Sequence, residues 1–593
     1  MMKYKYIVNG VAVLVSVDEY HKIAGLAGVA KAEAAQTFSR PLLAESDKNV
    51  YGMDLAKNNS ALFIGTKSAL DKNIKGQGIR VGIIDTGIDY THSMLGGSGN
   101  ETDYKAINPS EKSNLFPNQK VVGGYDFVGT TFGDGSPVGR IPRPDSNPID
   151  ELGHGTHVAG TVAGIGNGVN SYDGVAPEAQ LYALKVFGAS GGTSDEVVIA
   201  ALEYAADPNG DGNIDDRLDV VNLSLGSSFG SARNMYNLAI KNLTLGGTVV
   251  VASAGNSGDT SYIVGAPGIT EEALSVAASV DSMDHNWKFK VVEFFKGADS
   301  IIAEFTEGAI SKKISEITES KDKLVYIGLS DKPLTAEQAS ALKGNIALID
   351  RGGNSFYDKM KRAEDAGAVG VVVVNNQEGT PIVMGGEPDG PKVSIPSVMV
   401  AQNVGEAVKK EVIKGADVFV QLKTPKKLEK PELIDTLADF SSRGPRGEDS
   451  LIKPEITAPG EMIISAAMGK GQETVPMSGT SMSGPHMAGV MALMKQFYPE
   501  LNSTELKSVV MGSAVSLRDE KKQVYPVSRM GAGRVQIDKA LAVSVATQPA
   551  SISLGEVLVE SKKVMYKEVK VRNIRPEAVT FSVRFQGHPA ITM

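Results

Sequence analysis

The chain has 593 residues, several times the usual domain length of roughly 100–150 residues, with 42% hydrophobic and 22% charged residues. That composition excludes a fibrous repeat or a disordered polymer and implies more than one core. The formal net charge of -9 opposes attraction to nucleic-acid phosphates or anionic lipid, the absence of cysteine removes disulfides, thiolate zinc sites and a cysteine nucleophile together, and no apolar run approaches the roughly 20 residues needed to span a bilayer as a helix.

The N-terminus, MMKYKYIVNGVAVLVSVDEY, places lysines before an apolar stretch, but Asn9 and Gly10 interrupt it and no small-residue cleavage site follows. It reads as a strand followed by a helix over residues 19–29. From about residue 79 apolar runs alternate with helical patterns, the signature of a parallel sheet covered on both faces. Strands are predicted at 79–84, 180–187, 220–225 and 248–252, and helices at 194–206 and 232–243. The first helix has Thr193 three residues before Glu196, the spacing of a capping box, and the second stops at Gly246 and Gly247. Three strand runs end abruptly, in Asp85-Thr86-Gly87, Ser224-Leu225-Gly226 and Ser253-Ala254-Gly255-Asn256, which nominates the carboxyl edge of the sheet as the site.

After about Val280 the alternation breaks. Residues 285–431 carry their own strand, amphipathic helix and buried strand in GNIALIDRGGNSFYDKMKRAEDAGAVGVVVVNN, and leave through KTPKKLEKPEL, a lysine- and proline-rich linker. The first pattern then resumes with KPEITAPG and a long helix from Ser481 to Tyr498, so the second unit is an insertion within a discontinuous domain. Beyond Gln548, Val569 and Val571 alternate with Lys570 and Arg572, and Phe581, Val583 and Phe585 with Ser582 and Arg584, as at the start of a half-buried antiparallel sheet.

Three segments join small residues to an acid, a base or a nucleophile: IRVGIIDTGID around Asp85, GHGTHVAGTVAG around His154 and MSGTSMSGPHMAGV around Ser481. Serine is a poor nucleophile near neutral pH unless an imidazole takes its proton, and that imidazole needs a carboxylate to fix its tautomer. Taken singly, Ser481 reads as a helix cap, His154 as a satisfied core histidine and Asp85 as a turn former; their joint occurrence with these flanks reverses that. His154 and His157 lack an intervening glutamate and an evident third ligand, which argues against catalytic zinc. No phosphate-binding glycine loop is present. DPNGDGNIDD places Asp207, Asn209, Asp211, Asn213 and Asp215 at odd positions of a calcium loop with Gly212 at the sixth, but Leu218 stands at the twelfth, leaving Asp216 or Asp219 to complete the set; a polar surface turn is the alternative.

DTGID, GHGTHVAG and GTSMSGPH, in this order, resemble the three signature segments of the subtilisin-like serine proteases, the subtilases. The resemblance implies a three-layer α/β fold with a parallel sheet, and a triad of Asp85, His154 and Ser481 with no catalytic cofactor. Ser483 stands where alanine is commoner in the family. ASAGN implies Asn256 in the oxyanion hole, while Ser224, Leu225, Gly226, Gly191, Gly192, Ala254 and Gly255 would line the substrate and Gly265 would floor a pocket for a large apolar residue. The insertion resembles a protease-associated domain, and residues 1–48 the latter part of a propeptide that acts as intramolecular inhibitor, so that signal peptide and first half would be missing from this chain. The expected division is then 1–48 partial propeptide, 49–284 and 432–545 catalytic domain, 285–431 inserted domain, and 546–593 the start of a C-terminal β-sandwich-like domain. The implied protein is a secreted or cell-surface endopeptidase acting on proteins or peptides, with Ca2+ as a structural ion; a catalytically silent binding protein on the same fold is the alternative.

Overall fold

The computed structural model describes residues 2–39, 60–136, 138–166, 173–227, 229–281, 287–288, 291–377, 381–385, 391–424, 426, 428–429, 431–557 and 564–584. The described residues divide into two compact units, one within 286–432 and the other made of the remainder.

In the larger unit a seven-stranded sheet runs in the order Ile456–Pro459, Leu274–Ser279, Val249–Ser253, Val220–Leu223, Arg80–Asp85, Gln180–Lys185, Val121–Asp126, every pair parallel. Its central strands are buried along their whole length, every residue of Val220–Leu223 and Val249–Ser253 included, because both faces are covered. Helices Asp195–Ala206 and Met235–Leu245 pack on one another, and their apolar faces share a core with Leu184, Leu223 and Ala252. His154–Ala163 and Thr480–Phe497 also pack together, the latter against five of the strands.

Local chemistry sets several boundaries away from the sequence reading. The helix at 195 is capped by Ser194, without a side-chain cap bond, and not by a Thr193–Glu196 box; Thr193 is drawn into a short strand, Gly192–Ser194, and buried there. The next helix begins at Met235, not at 232. Its end agrees: Gly246 is the cap, and Gly247 follows at φ 104°. Near the N-terminus, Met2–Tyr4 and Gly10–Ala12 form a hairpin before the helix Val17–Ala24, whose capping box of Ser16 and Glu19 starts it two residues earlier than expected. Beyond Gln548 the expected half-buried sheet is not found among the described residues. Lys570–Asn573 pairs antiparallel with Val545–Gln548, but all four of its residues are exposed, as are Val569, Phe581 and Val583, and 581–584 is not strand; among the described residues no second layer covers these apolar positions.

The second unit is a closed barrel of seven strands, mixed parallel and antiparallel. Ile346–Asp350 and Gly370–Val374 pair in parallel, and the amphipathic helix Phe356–Asp365 connects them, capped by Ser355, whose hydroxyl accepts from the Asp358 amide.

Candidate active site

Asp85 is the last residue of its strand and His154 the first of its helix. Their side chains meet at 2.7 Å, Nδ1 to Oδ1, with Asp85 fully buried and His154 5% exposed. A carboxylate on Nδ1 fixes the proton there and leaves Nε2 as the basic nitrogen. Gly153, at φ 91°, supplies the backbone turn that starts the helix, and a Cβ on Gly155 would lie 2.1 Å from the Gly87 carbonyl, so only glycine lets the two segments come this close.

Ser481 is the second residue of Thr480–Phe497 and 2% exposed. Pro485 lies four residues further on. Lacking an N–H, it cannot close the helical bond to the Ser481 carbonyl; the Ser224 hydroxyl donates to that carbonyl instead, at 2.8 Å, while Ser481 Oγ donates to the Ser224 carbonyl at 3.3 Å. Strand and helix are thus joined by a reciprocal pair of hydrogen bonds at the serine itself. Gly484 permits the approach, since a Cβ there would sit 3.1 Å from Asn222 Oδ1 and 3.3 Å from Ser224 Oγ.

Asn256 follows the neighbouring strand. Its Oδ1 accepts from both the backbone N–H and the hydroxyl of Thr480, each at 2.8 Å, and the Thr480 hydroxyl accepts from Gly255 N at 3.1 Å. With its oxygen held this way the amide presents Nδ2 as its donor end beside Gly479. The sequence reading missed Thr480, and it missed the signal for Ser224 as a donor, which was Pro485 within the first turns of a helix.

Gly265 and Gly226 have a more immediate reason to be glycine than a pocket floor. A Cβ on Gly265 would lie 2.0 Å from Ser227 O, and one on Gly226 1.9 Å from Ala266 O, because the 226–227 and 265–266 backbones run against each other. Gly265 N donates to Ala254 O at 2.9 Å and Leu225 is buried. Gly191 takes φ 84° in the turn before Gly192–Ser194. That strand pairs antiparallel with Thr37–Ser39, in the register Ser39↔Gly192, Phe38↔Thr193 and Thr37↔Ser194. The same N-terminal region is held by Asp195, which accepts from Gln36 N at 3.0 Å, and by the Glu203 carboxylate, which accepts from the amides of Lys5, Tyr6 and Ile7.

His157, three residues after His154, is fully buried, with Nε2 2.9 Å and 3.1 Å from the carbonyls of Ile463 and Val475; burial pushes its pKa down to about 3, so it stays neutral and structural. In the 207–216 turn the acidic side chains cap their own backbone: Asp207 accepts from Gly210, Asp211 and Gly212, Asp211 from Asn213, and Asp216 from Asn209. Asp215 meets the side-chain amide of Asn213, whose own oxygen accepts from Asp215 N. Leu218 is buried and Asp219 accepts from Arg80 N. Among the described residues no three His, Asp or Glu side chains are grouped to hold a metal. Also among the described residues, no helix is long and apolar enough to cross a membrane.

Residues 76–533 match the Subtilase family, and the chain belongs to it. The chain is 31% identical over 570 residues to the minor extracellular protease Vpr of Bacillus subtilis, covering 94% of this chain and 63% of that protein. It is 30% identical to the PI-type proteinase of Lactococcus lactis subsp. cremoris, over 91% of this chain and 29% of the relative, and 30% identical to the C5a peptidase of Streptococcus pyogenes serotype M1, over 81% and 40%. It thus spans under two thirds of the length of each of these relatives.

Proposed function

We propose that the protein is a serine endopeptidase in which Ser481 is the nucleophile, His154 the general base and Asp85 the group that orients it. The observation that carries this reading is the buried 2.7 Å contact between His154 Nδ1 and Asp85 Oδ1, on a helix packed against the one that bears Ser481. As Ser481 Oγ attacks a peptide carbonyl, its proton passes to His154 Nε2, and the imidazolium is stabilised by Asp85. Asn256 Nδ2 and the Ser481 N–H donate to the developing oxyanion. The C–N bond breaks as His154 returns the proton to the leaving amine, and water repeats the sequence on the acyl-enzyme.

Substrate lies extended along Gly191, Gly192 and Ser224–Gly226 through main-chain hydrogen bonds, which tolerate varied sequences. A preference for a large apolar residue before the cleaved bond rests on Gly265 alone and is tested with a peptide library. The pairing of Thr37–Ser39 with Gly192–Ser194 supports intramolecular inhibition by the N-terminal region, since the strand offered to substrate is occupied. The inserted barrel is read as a protease-associated domain that recruits substrate or controls access. Location outside the cell is supported by the extracellular relative. A bound Ca2+ on the 207–216 turn is a separate proposal carried by the acidic spacing; its side chains would have to turn from their own backbone to hold the ion. Casein hydrolysis blocked by a serine-directed phosphonate and absent from Ser481→Ala is the expected result; full turnover in that variant defeats the assignment of Ser481, and no phosphonate-sensitive turnover in wild type favours a silent binding protein.

A further inference from the structure

We infer that Asp150 is the positioning residue that sets the geometry of the Asp85–His154 pair, an inference that rests on the peptidase reading above. Asp150 is fully buried, four residues before His154. Its Oδ1 accepts from the Thr86 hydroxyl at 2.8 Å and from the amides of Leu152 and Gly153, each at 2.9 Å; its Oδ2 accepts from Thr156 N at 2.9 Å and from the Thr156 hydroxyl at 2.6 Å. Thr86 follows Asp85 directly in the chain, and Gly153 is the cap of the His154 helix, so one carboxylate grips both segments whose side chains must meet.

The grip closes on itself. Thr86 Oγ1, while donating to Asp150, accepts from Gly155 N at 2.8 Å, and Thr156 Oγ1 accepts from Asp89 N at 2.9 Å. Each threonine hydroxyl therefore crosses between the 85–89 segment and the 150–156 segment, with its donor end turned to Asp150. The Asp150 carbonyl accepts from the Tyr104 hydroxyl at 2.9 Å, which fixes the backbone of the acid itself. An acceptor-only group is required at this point, because every neighbour aimed at it is a donor. Asp150 touches no reacting atom; its effect reaches the chemistry through the angle and distance between Asp85 and His154, where errors near 1 Å are costly.

The test compares wild type, Asp150→Asn, Thr86→Val and Ser481→Ala in the full chain. kcat and KM on a peptide substrate are expressed per site titrated with a phosphonate, alongside Tm and the far-downfield proton signal of the His154 imidazole N–H. Asp150→Asn keeps the shape but turns an amide NH2 on donors; it is expected to lower kcat at least 30-fold per titrated site with KM within 3-fold, and to broaden or shift the downfield signal. Thr86→Val removes the Thr86 bond to Asp150 together with the acceptor of Gly155 N, leaves the Thr156–Asp89 link in place, and is expected to lower kcat about 5-fold or more in the same manner. It serves as the deciding variant if Asp150→Asn does not fold. A structural role alone would lower Tm and the titrated fraction while leaving kcat per site and the proton signal as in wild type; that result overturns the inference. Absence of phosphonate-sensitive turnover in wild type, or turnover in Ser481→Ala, instead overturns the peptidase reading.

Discussion

Thr480→Val removes one of the two hydrogen bonds that Thr480 donates to Asn256. The variant deletes the hydroxyl that donates to Asn256 Oδ1 at 2.8 Å and accepts from Gly255 N at 3.1 Å, but keeps the backbone N–H that also donates to Oδ1 at 2.8 Å. A neutral hydrogen bond is worth about 0.5–1.5 kcal/mol net, and 1.36 kcal/mol is tenfold in rate, so kcat should fall roughly 2- to 12-fold with KM little changed. Asn256→Ala removes the donor itself and should lower kcat about 10²–10³-fold, a magnitude that comes from a subtilisin and is carried over by analogy. Because the hydroxyl reaches the oxyanion through the amide, Thr480→Val should cost clearly less in Asn256→Ala, where only its bond from Gly255 N is left to lose. The assay is the four-member cycle of kcat on one chromogenic peptide, corrected by active-site titration. An equal loss from Thr480→Val in both backgrounds would refute the argument, since the hydroxyl would then act elsewhere.

Three further outcomes are expected. In the inactive Ser481→Ala background, acid stability should follow His157: its pKa falls from the ordinary 6.5 to about 3 on folding, so the unfolded chain takes the proton first. The contribution is intact above pH 6.5 and is lost as pH falls toward 3, by at most about 5 kcal/mol; His157→Gln should flatten that limb of the Tm profile, and an unchanged profile counts against the assignment. Wild type should lose its N-terminal region on maturation, with the new terminus between residues 40 and 60 by mass spectrometry, whereas Ser481→Ala stays uncut; equal processing in both would point to another protease. Millimolar Ca2+ should raise Tm in wild type but not in Asp207→Asn/Asp211→Asn, and a Tm indifferent to Ca2+ retires the calcium proposal.

The sheet was legible because its central strands are largely apolar runs that stop at polar or glycine residues, and those stops are where Asp85, Ser224 and Asn256 stand. The long helix predicted from Ser481 is found as Thr480–Phe497, packed against the sheet. Thr193 misled because a propensity for capping is local, whereas its pairing with Phe38 joins residues about 155 apart. Asp150 and Thr480 were invisible for the same reason: a carboxylate or hydroxyl becomes an organiser only through donors that the fold brings to it. Gly265 shows the converse case, a motif residue whose glycine is explained by close backbone approach before any substrate is considered.

The strand Ile456–Pro459 joins the sheet by pairing with Leu274–Ser279 across about 180 residues, and only past it does the chain reach Ser481. Between Ser39 and Ser481 lie about 440 residues, which a ribosome at about 5–20 residues per second takes roughly 20–90 s to add. The segment that occupies the Gly192–Ser194 edge is therefore made well before the serine. On the proposed inhibition, the strand that covers this edge is already in the chain when the serine is added.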